Sequence, residues 1–210
     1  MRVTIETTVD DIGTIEGFLD LYRDAFAPLA VQAAGRQSLT DDEFRAEMAE
    51  ESVLKFVGWD RHDTPVALAL VATDLSHVPW ISPAFWIDRY PDHAARGAIW
   101  YYGALLVDPT AKGGFWTRRL MVEMARHTAI HRAVAAFDCC RFNVEDVKVP
   151  QMVAEISNRL AHSSGGLVDT QSYYAFVFDG LRDEIDLRAA DASILVADTS
   201  EPDVEPGSAQ

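Results

Sequence analysis

Gly113 and Gly114 follow an uncharged apolar run from Ile99 to Val107, with Pro109 and Lys112 between and Arg118 and Arg119 just beyond. The chemistry this order suits is the holding of an anion. Pro109 ends the pairing capacity of a strand, and adjacent glycines let the backbone turn its amides toward a ligand. Leu120, Met121, Met124, Ala125 and Thr128 then recur at helical spacing. A helix that opens at such a turn presents unpaired N–H groups and the positive end of its dipole, which together suit phosphate or pyrophosphate. The same glycines also fit a second reading, a tight connection before an ordinary core helix.

Two further clusters carry groups that do chemistry elsewhere. His127 and His131 stand four apart on the expected helix, a spacing that brings two ligands to one metal. Thr128 occupies the position of the glutamate in a His-Glu-x-x-His motif, so the pair predicts a packed or solvated helix face and no metal site. Cys139 and Cys140, the only cysteines, are adjacent, which is neither a disulfide framework nor a zinc spacing. They predict buried packing on a strand, pointing to opposite faces.

The chain that must position these residues has 210 residues, 49% of them hydrophobic, enough for one good core. Its net charge of −15 opposes attraction to nucleic acid or to an anionic membrane and favours cationic or neutral partners. No apolar run approaches the roughly 20 residues of a membrane span. Glu6, Asp10 and Asp11 stand where a secretory signal needs its apolar core, so a cytoplasmic location is expected. Residues 198–210 are acidic, with almost nothing to bury, and predict a disordered tail. Before them, Ser193 to Ala197 predict a short edge strand or an oligomer contact, which leaves room for a homodimer.

Alternation predicts a first strand over Arg2 to Thr8. Asp10 or Asp11 caps a helix whose stripe is Ile15, Phe18, Leu19, Tyr22 and Phe26. Thr40 and Glu43 form a capping box for a second helix to about Glu51. Val53 to Trp59 and Pro65 to Leu75 predict a hairpin around a polar loop. Ser76 to Gly97, rich in Pro, Trp, Phe and Tyr, predicts a long aromatic loop over a pocket. A fourth strand (99–107) and the glycine-opened helix come next. Ala135 to Asn143 predicts a fifth strand, and Val149 to Ser163 a helix ended by Gly165 and Gly166. Leu167 to Asp169 and Tyr173 to Asp179 predict two last strands.

That order, with the glycine loop after the fourth strand, resembles the GNAT superfamily of acyl-CoA-dependent N-acyltransferases. The residues that carry it run from Leu105 to Leu120, with Asn143 after the fifth strand, Asn158 to Val168, and Tyr173 to Val177. Val107, Pro109 and Lys112 fall on the first three fixed positions of the family pattern Val-x-Pro-x-x-Arg-x-x-Gly-x-Gly. Phe115 and Thr117 stand where that pattern has its glycines, so the loop is degenerate. The resemblance implies an α/β (α+β) fold over residues 1–180: a mixed, mostly antiparallel central sheet flanked by about four helices, with a splay between strands 4 and 5. Residues 181–197 would be a C-terminal extension.

The resemblance also implies an activity, transfer of an acyl group from acetyl-CoA to a primary amine on a small molecule or a protein, without a metal. The alternative is a GNAT fold that has lost catalysis and serves as a binding or structural protein. A nucleotide-binding α/β domain unrelated to CoA is disfavoured, because the glycines fit neither Gly-x-Gly-x-x-Gly nor the Walker spacing. In the family the donor's pantetheine lies along the backbone of the fourth strand, here Leu105, Leu106 and Val107. Its pyrophosphate would rest on the amides from Lys112 through Gly113, Gly114, Phe115 and Trp116 to Thr117, with Arg118 or Arg119 adding charge. Asn143 would touch the donor after the fifth strand. No tyrosine stands where the family protonates the departing thiolate; His162 or Ser163 occupies that region. Asp74 and His77 are the nearest candidates for a base, and Tyr101 or Tyr102 for orienting the acceptor.

Overall fold

A computed structural model describes residues 1–35, 38–111 and 113–177. Five strands form one sheet in the order β1-β2-β3-β4-β5: β1 (Arg2–Glu6), β2 (Val53–Trp59), β3 (Pro65–Ala72), β4 (Ile99–Val107) and β5 (Val134–Ala136). The first three pairings are antiparallel, and β4 with β5 is parallel. β3 is apolar throughout because helices cover both its faces, which leaves no polar side for alternation.

One face carries α1 (Ile12–Phe26) and α3 (Asp41–Ala49), with the short α2 (Leu29–Gln32) between them in the chain. Asp11 caps α1 by accepting from Thr14 N at 2.7 Å, and Thr40 and Glu43 close a reciprocal capping box at α3. These helices bury Phe18, Leu19, Tyr22, Phe44 and Met48 against Val53, Val57, Leu68 and Leu70. The other face carries α6 (Gly113–Ile130), with α8 (Val149–Leu160) packed on it. There Trp116, Leu120 and Met124 cover Phe56, Ala67, Ala69, Val71 and Trp100. Gly58 permits the closest approach: a Cβ on it would lie 2.9 Å from Cε3 and Cζ3 of Trp116.

Several expected elements take other forms. The segment expected as a loop holds a 3-10 turn (Leu75–His77), α4 (Pro83–Arg89) and α5 (Pro91–Ala94). Pro83 and Pro91 stand at the first helical position, where a fixed φ and a missing N–H help to start a helix. The fifth strand has three residues, not nine, because it pairs only with Ile99, Trp100 and Tyr101. The chain then turns into α7 (Arg141–Glu145), so Cys139 and Cys140 are not on a strand. α8 ends at Leu160, five residues before the glycines expected to stop it. Met1–Asp169 form one unit; of the second, from Thr170, the described residues to 177 hold no helix or strand. The strands expected at 167–169 and 173–179 are therefore absent over the described residues; 178–179, the extension and the acidic tail lie outside them. Apolar runs this short make a strand only where a partner edge accepts them. Among the described residues no helix is long and apolar enough to cross a membrane.

Candidate active site at the fork of β4 and β5

The last β4 residue with a β5 partner is Tyr101, opposite Ala136. From Tyr102 to Val107, β4 pairs only with β3, so its other edge has no partner strand among the described residues. A bulge at Gly103 interrupts the register, because Tyr102 pairs with Val71 and Ala104 with Leu70. The bulge reverses the alternation of β4. Trp100 and Tyr102 pack toward α6 before it, and Leu105 and Val107 do so after it. Tyr101 and Ala104 belong to the opposite core.

The same parity settles which backbone groups are available. Asp108 N bonds to Val66 O at 2.9 Å, so Leu106, two residues back, also faces β3. Leu105 and Val107 turn their N–H and C=O groups to the open edge. Leu106, with its side chain 1% exposed, offers that edge neither side chain nor backbone. The turn after β4 is held by Asp108, whose Oδ1 accepts from Thr110 N and Oγ1, both at 2.7 Å. These bonds hold its carboxyl below the usual carboxylate range. The sequence reading missed this Asx turn, although an Asp-Pro-Thr triplet is its usual signal.

α6 opens directly after that turn. Lys112 lies outside the described residues. A Cβ built on Gly114 would meet nothing within 4 Å, so the first turn of the helix faces open space. Phe115 is 48% exposed, whereas Trp116 is 3% exposed and its indole belongs to the core. Only the backbone of Trp116 remains for a ligand. Thr117 is half-buried. Arg118 is exposed and among the described residues pairs with no carboxylate, while Arg119 is engaged by Glu123 at 3.1 Å. Asn143, expected after a long fifth strand, sits inside α7.

The expected catalytic side chains are scattered. His162 is exposed beyond the end of α8. Asp74 caps the 3-10 turn, accepting from Ser76 N at 2.9 Å and Ser76 Oγ at 2.8 Å, which lowers its pKa. Tyr102 is half-buried on the α6 side with its hydroxyl 2.8 Å from Thr128 Oγ1, and desolvation raises its pKa. His77 Nδ1 lies 3.8 Å from Glu50 Oε2 in a cleft of about 200 Å³ that Glu43, Glu47 and Pro79 also line. His127 stacks on Trp100 and meets Phe56 edge-on, which makes the histidine pair part of the helix packing.

At the fork itself stands Tyr101, which the sequence reading named for orienting the acceptor, with two partners it missed, Asp138 and Trp80. Tyr101 donates its hydroxyl hydrogen bond to Asp138, and Trp80 Nε1 donates to the same hydroxyl oxygen at 2.9 Å. Burial and then the Asp138 charge push the Tyr101 phenol well above the usual tyrosine range. Burial, followed by Asp138, also pushes the Cys139 thiol up to about 11. A carboxylate two residues beyond an apolar strand was the only local signal of this cluster.

The mostly antiparallel sheet, the fork between β4 and β5 and the glycine-opened helix after β4 are those the resemblance implied. The fold is similar to the GNAT type. No family model and no curated protein matches the chain. Among solved structures, a mutant of the BH1408 protein from Bacillus halodurans is similar at 15% identity and TM-score 0.46, over 82% of this chain and 100% of that one. An aminoglycoside antibiotic 6'-N-acetyltransferase from Acinetobacter haemolyticus is similar at 11% identity and TM-score 0.47, over 85% and 100%. A ribosomal-protein-alanine N-acetyltransferase from Brucella melitensis biovar Abortus is similar at 13% identity and TM-score 0.41, over 84% and 99%.

Proposed function

We propose that this chain is an acyl-CoA-dependent N-acyltransferase that moves an acyl group, most simply acetyl, directly to a primary amine. The observation that carries this reading is the open β4 edge, which runs into the exposed first turn of α6. From Tyr102 to Val107 that edge is about 17 Å long at about 3.3 Å per residue. It offers the N–H and C=O groups of Leu105 and Val107 to an extended amide-bearing chain, in the way a strand is added to a sheet. At its far end the α6 amides and Arg118 meet the anionic end of the donor. The acyl group then lies at the fork. There the neutral amine nitrogen bonds to the thioester carbon and gives up a proton, the C–S bond breaks, and the departing thiolate takes up a proton in its place.

A second reading, a scaffold that binds without transferring, is favoured by the occupations of Asp74 and Tyr102. Asp74, the candidate base, is engaged as a turn cap, and the Tyr102 hydroxyl, the candidate for orienting the acceptor, is engaged with Thr128.

Gly114→Val separates donor binding from folding, because a Cβ at this position enters open space with nothing within 4 Å. Titration calorimetry should show acetyl-CoA binding to the natural chain, and a loss of at least about tenfold in the variant, with unfolding temperature held. Equal affinity in the two proteins, or no binding to either, would remove the donor site from this loop. If acetyl-CoA binds but single-turnover mixing with a panel of primary amines gives no acyl amine, the scaffold reading stands.

A further inference from the structure

We infer that Asp138 and Trp80 form the subsite that receives the positive charge of the acceptor; this deepens the proposed transfer reaction and rests on it. Position comes first. Tyr101 is the last β4 residue that β5 pairs, and Asp138 lies two residues past its partner Ala136, so the carboxylate stands where the two strands part. A donor lying along Val107 and Leu105 with its anionic end at α6 brings its reactive end to the same fork. Tyr101 projects into the core on the face away from α6.

What holds this carboxylate is a buried tyrosine hydroxyl rather than a turn amide or an arginine. Asp11, Asp60, Asp74 and Asp108 accept from the backbone N–H groups of the turns they cap. Asp20, Asp41, Asp42 and Asp63 pair with arginines. Asp138 does neither. Its Oδ1 is held by a buried tyrosine hydroxyl, and among the described residues its Oδ2 has no hydrogen bond and no lysine or arginine pairs with it. Tyr101 is itself fixed, because Trp80 Nε1 donates to its oxygen and leaves the hydroxyl proton to Asp138. The result is an exposed carboxylate with a set direction and an unused acceptor oxygen.

Trp80 supplies the other half. Its indole meets Tyr101 at a ring-centroid distance of 6.1 Å, and 44% of its surface remains exposed. A fixed carboxylate beside an open indole is the pair of groups an ammonium takes, by charge-assisted hydrogen bonding and by the ring quadrupole. A chain of net charge −15 adds attraction for such a ligand at long range.

The test uses spermidine as the cationic probe, titrated by calorimetry into the full chain at 150 mM salt, where diffuse surface attraction is screened. Asp138→Asn keeps the shape of the side chain and an oxygen for Tyr101, and it should weaken spermidine binding at least tenfold. Trp80→Leu should weaken it several-fold. Asp10→Asn, which removes the same charge at an exposed position away from the fork, should leave it unchanged. Acetyl-CoA affinity and unfolding temperature should be the same in Asp138→Asn as in the natural chain. Equal spermidine affinity with and without the Asp138 charge, equal loss in Asp10→Asn, or no spermidine binding at all would overturn the assignment. Failure of acetyl-CoA to bind the natural chain would instead overturn the transferase reading, so the two failures are read from separate titrations.

Discussion

Gly58→Ala tests the packing that sets the start of α6 beneath the donor site. The added Cβ would lie 2.9 Å from two atoms of the Trp116 indole and 3.0 Å from Ala67 Cβ. None of these is the free end of a flexible chain: Trp116 is 3% exposed, and Ala67 Cβ is fixed to the central strand. Overpacking of this kind costs about 1–3 kcal/mol, and contacts on two sides place it in the upper half, about 2–3 kcal/mol. A chain of this size loses about 2–4 °C per kcal/mol, so the unfolding temperature should fall by about 4–12 °C in a calorimetric scan. Trp116 is in the first turn of α6, so its displacement should also weaken acetyl-CoA binding. Trp116→Leu leaves a void that the new methyl partly fills, and the double variant should be more stable than the sum of the single losses by about 1 kcal/mol. A Gly58→Ala protein within about 0.5 kcal/mol of the natural chain, the range of an ordinary surface change, would refute the close approach. So would losses in the double variant that simply add.

Two other perturbations follow from groups the fold holds. Lys55 is fully buried, donates to Thr7 O at 2.8 Å and Glu50 O at 2.6 Å, and burial pushes its pKa down to about 8. The unfolded lysine, near 10.4, binds its proton more firmly than the folded one. The Lys55 contribution should therefore be least favourable below about pH 8 and improve as pH rises from there toward the unfolded value. Urea unfolding of the natural chain against Lys55→Met across that window reads it, and a flat difference would contradict it. Thr40→Ala removes the acceptor for Glu43 N and the hydroxyl bond to Glu43, and should cost about 1 kcal/mol, seen as a fall of about 2–4 °C; no change would show that α3 does not depend on its cap.

The elements that the sequence determined by itself are those whose signals are local. Asp11 and the Thr40 and Glu43 pair mark helix starts because a cap and the amide it bonds are three residues apart. Apolar runs set β2, β3 and β4, and the glycines opened α6 where they were expected to. Only the tertiary structure decided how far each strand is paired and which face its side chains take. β5 leaves β4 at Ala136 although the β4 edge runs on to Val107, and Asn143, expected on the strand, lies in a helix instead. The Gly103 bulge exchanged the faces of Leu105 and Leu106 through a register slip against β3 that no pattern within β4 encodes. Asp138 became a candidate site residue through a tyrosine 37 residues away and a tryptophan that reaches the same hydroxyl. Caps and periodicity act within a turn or two of chain, whereas strand pairing and hydrogen bonds to buried hydroxyls join segments whose separation only the folded backbone closes.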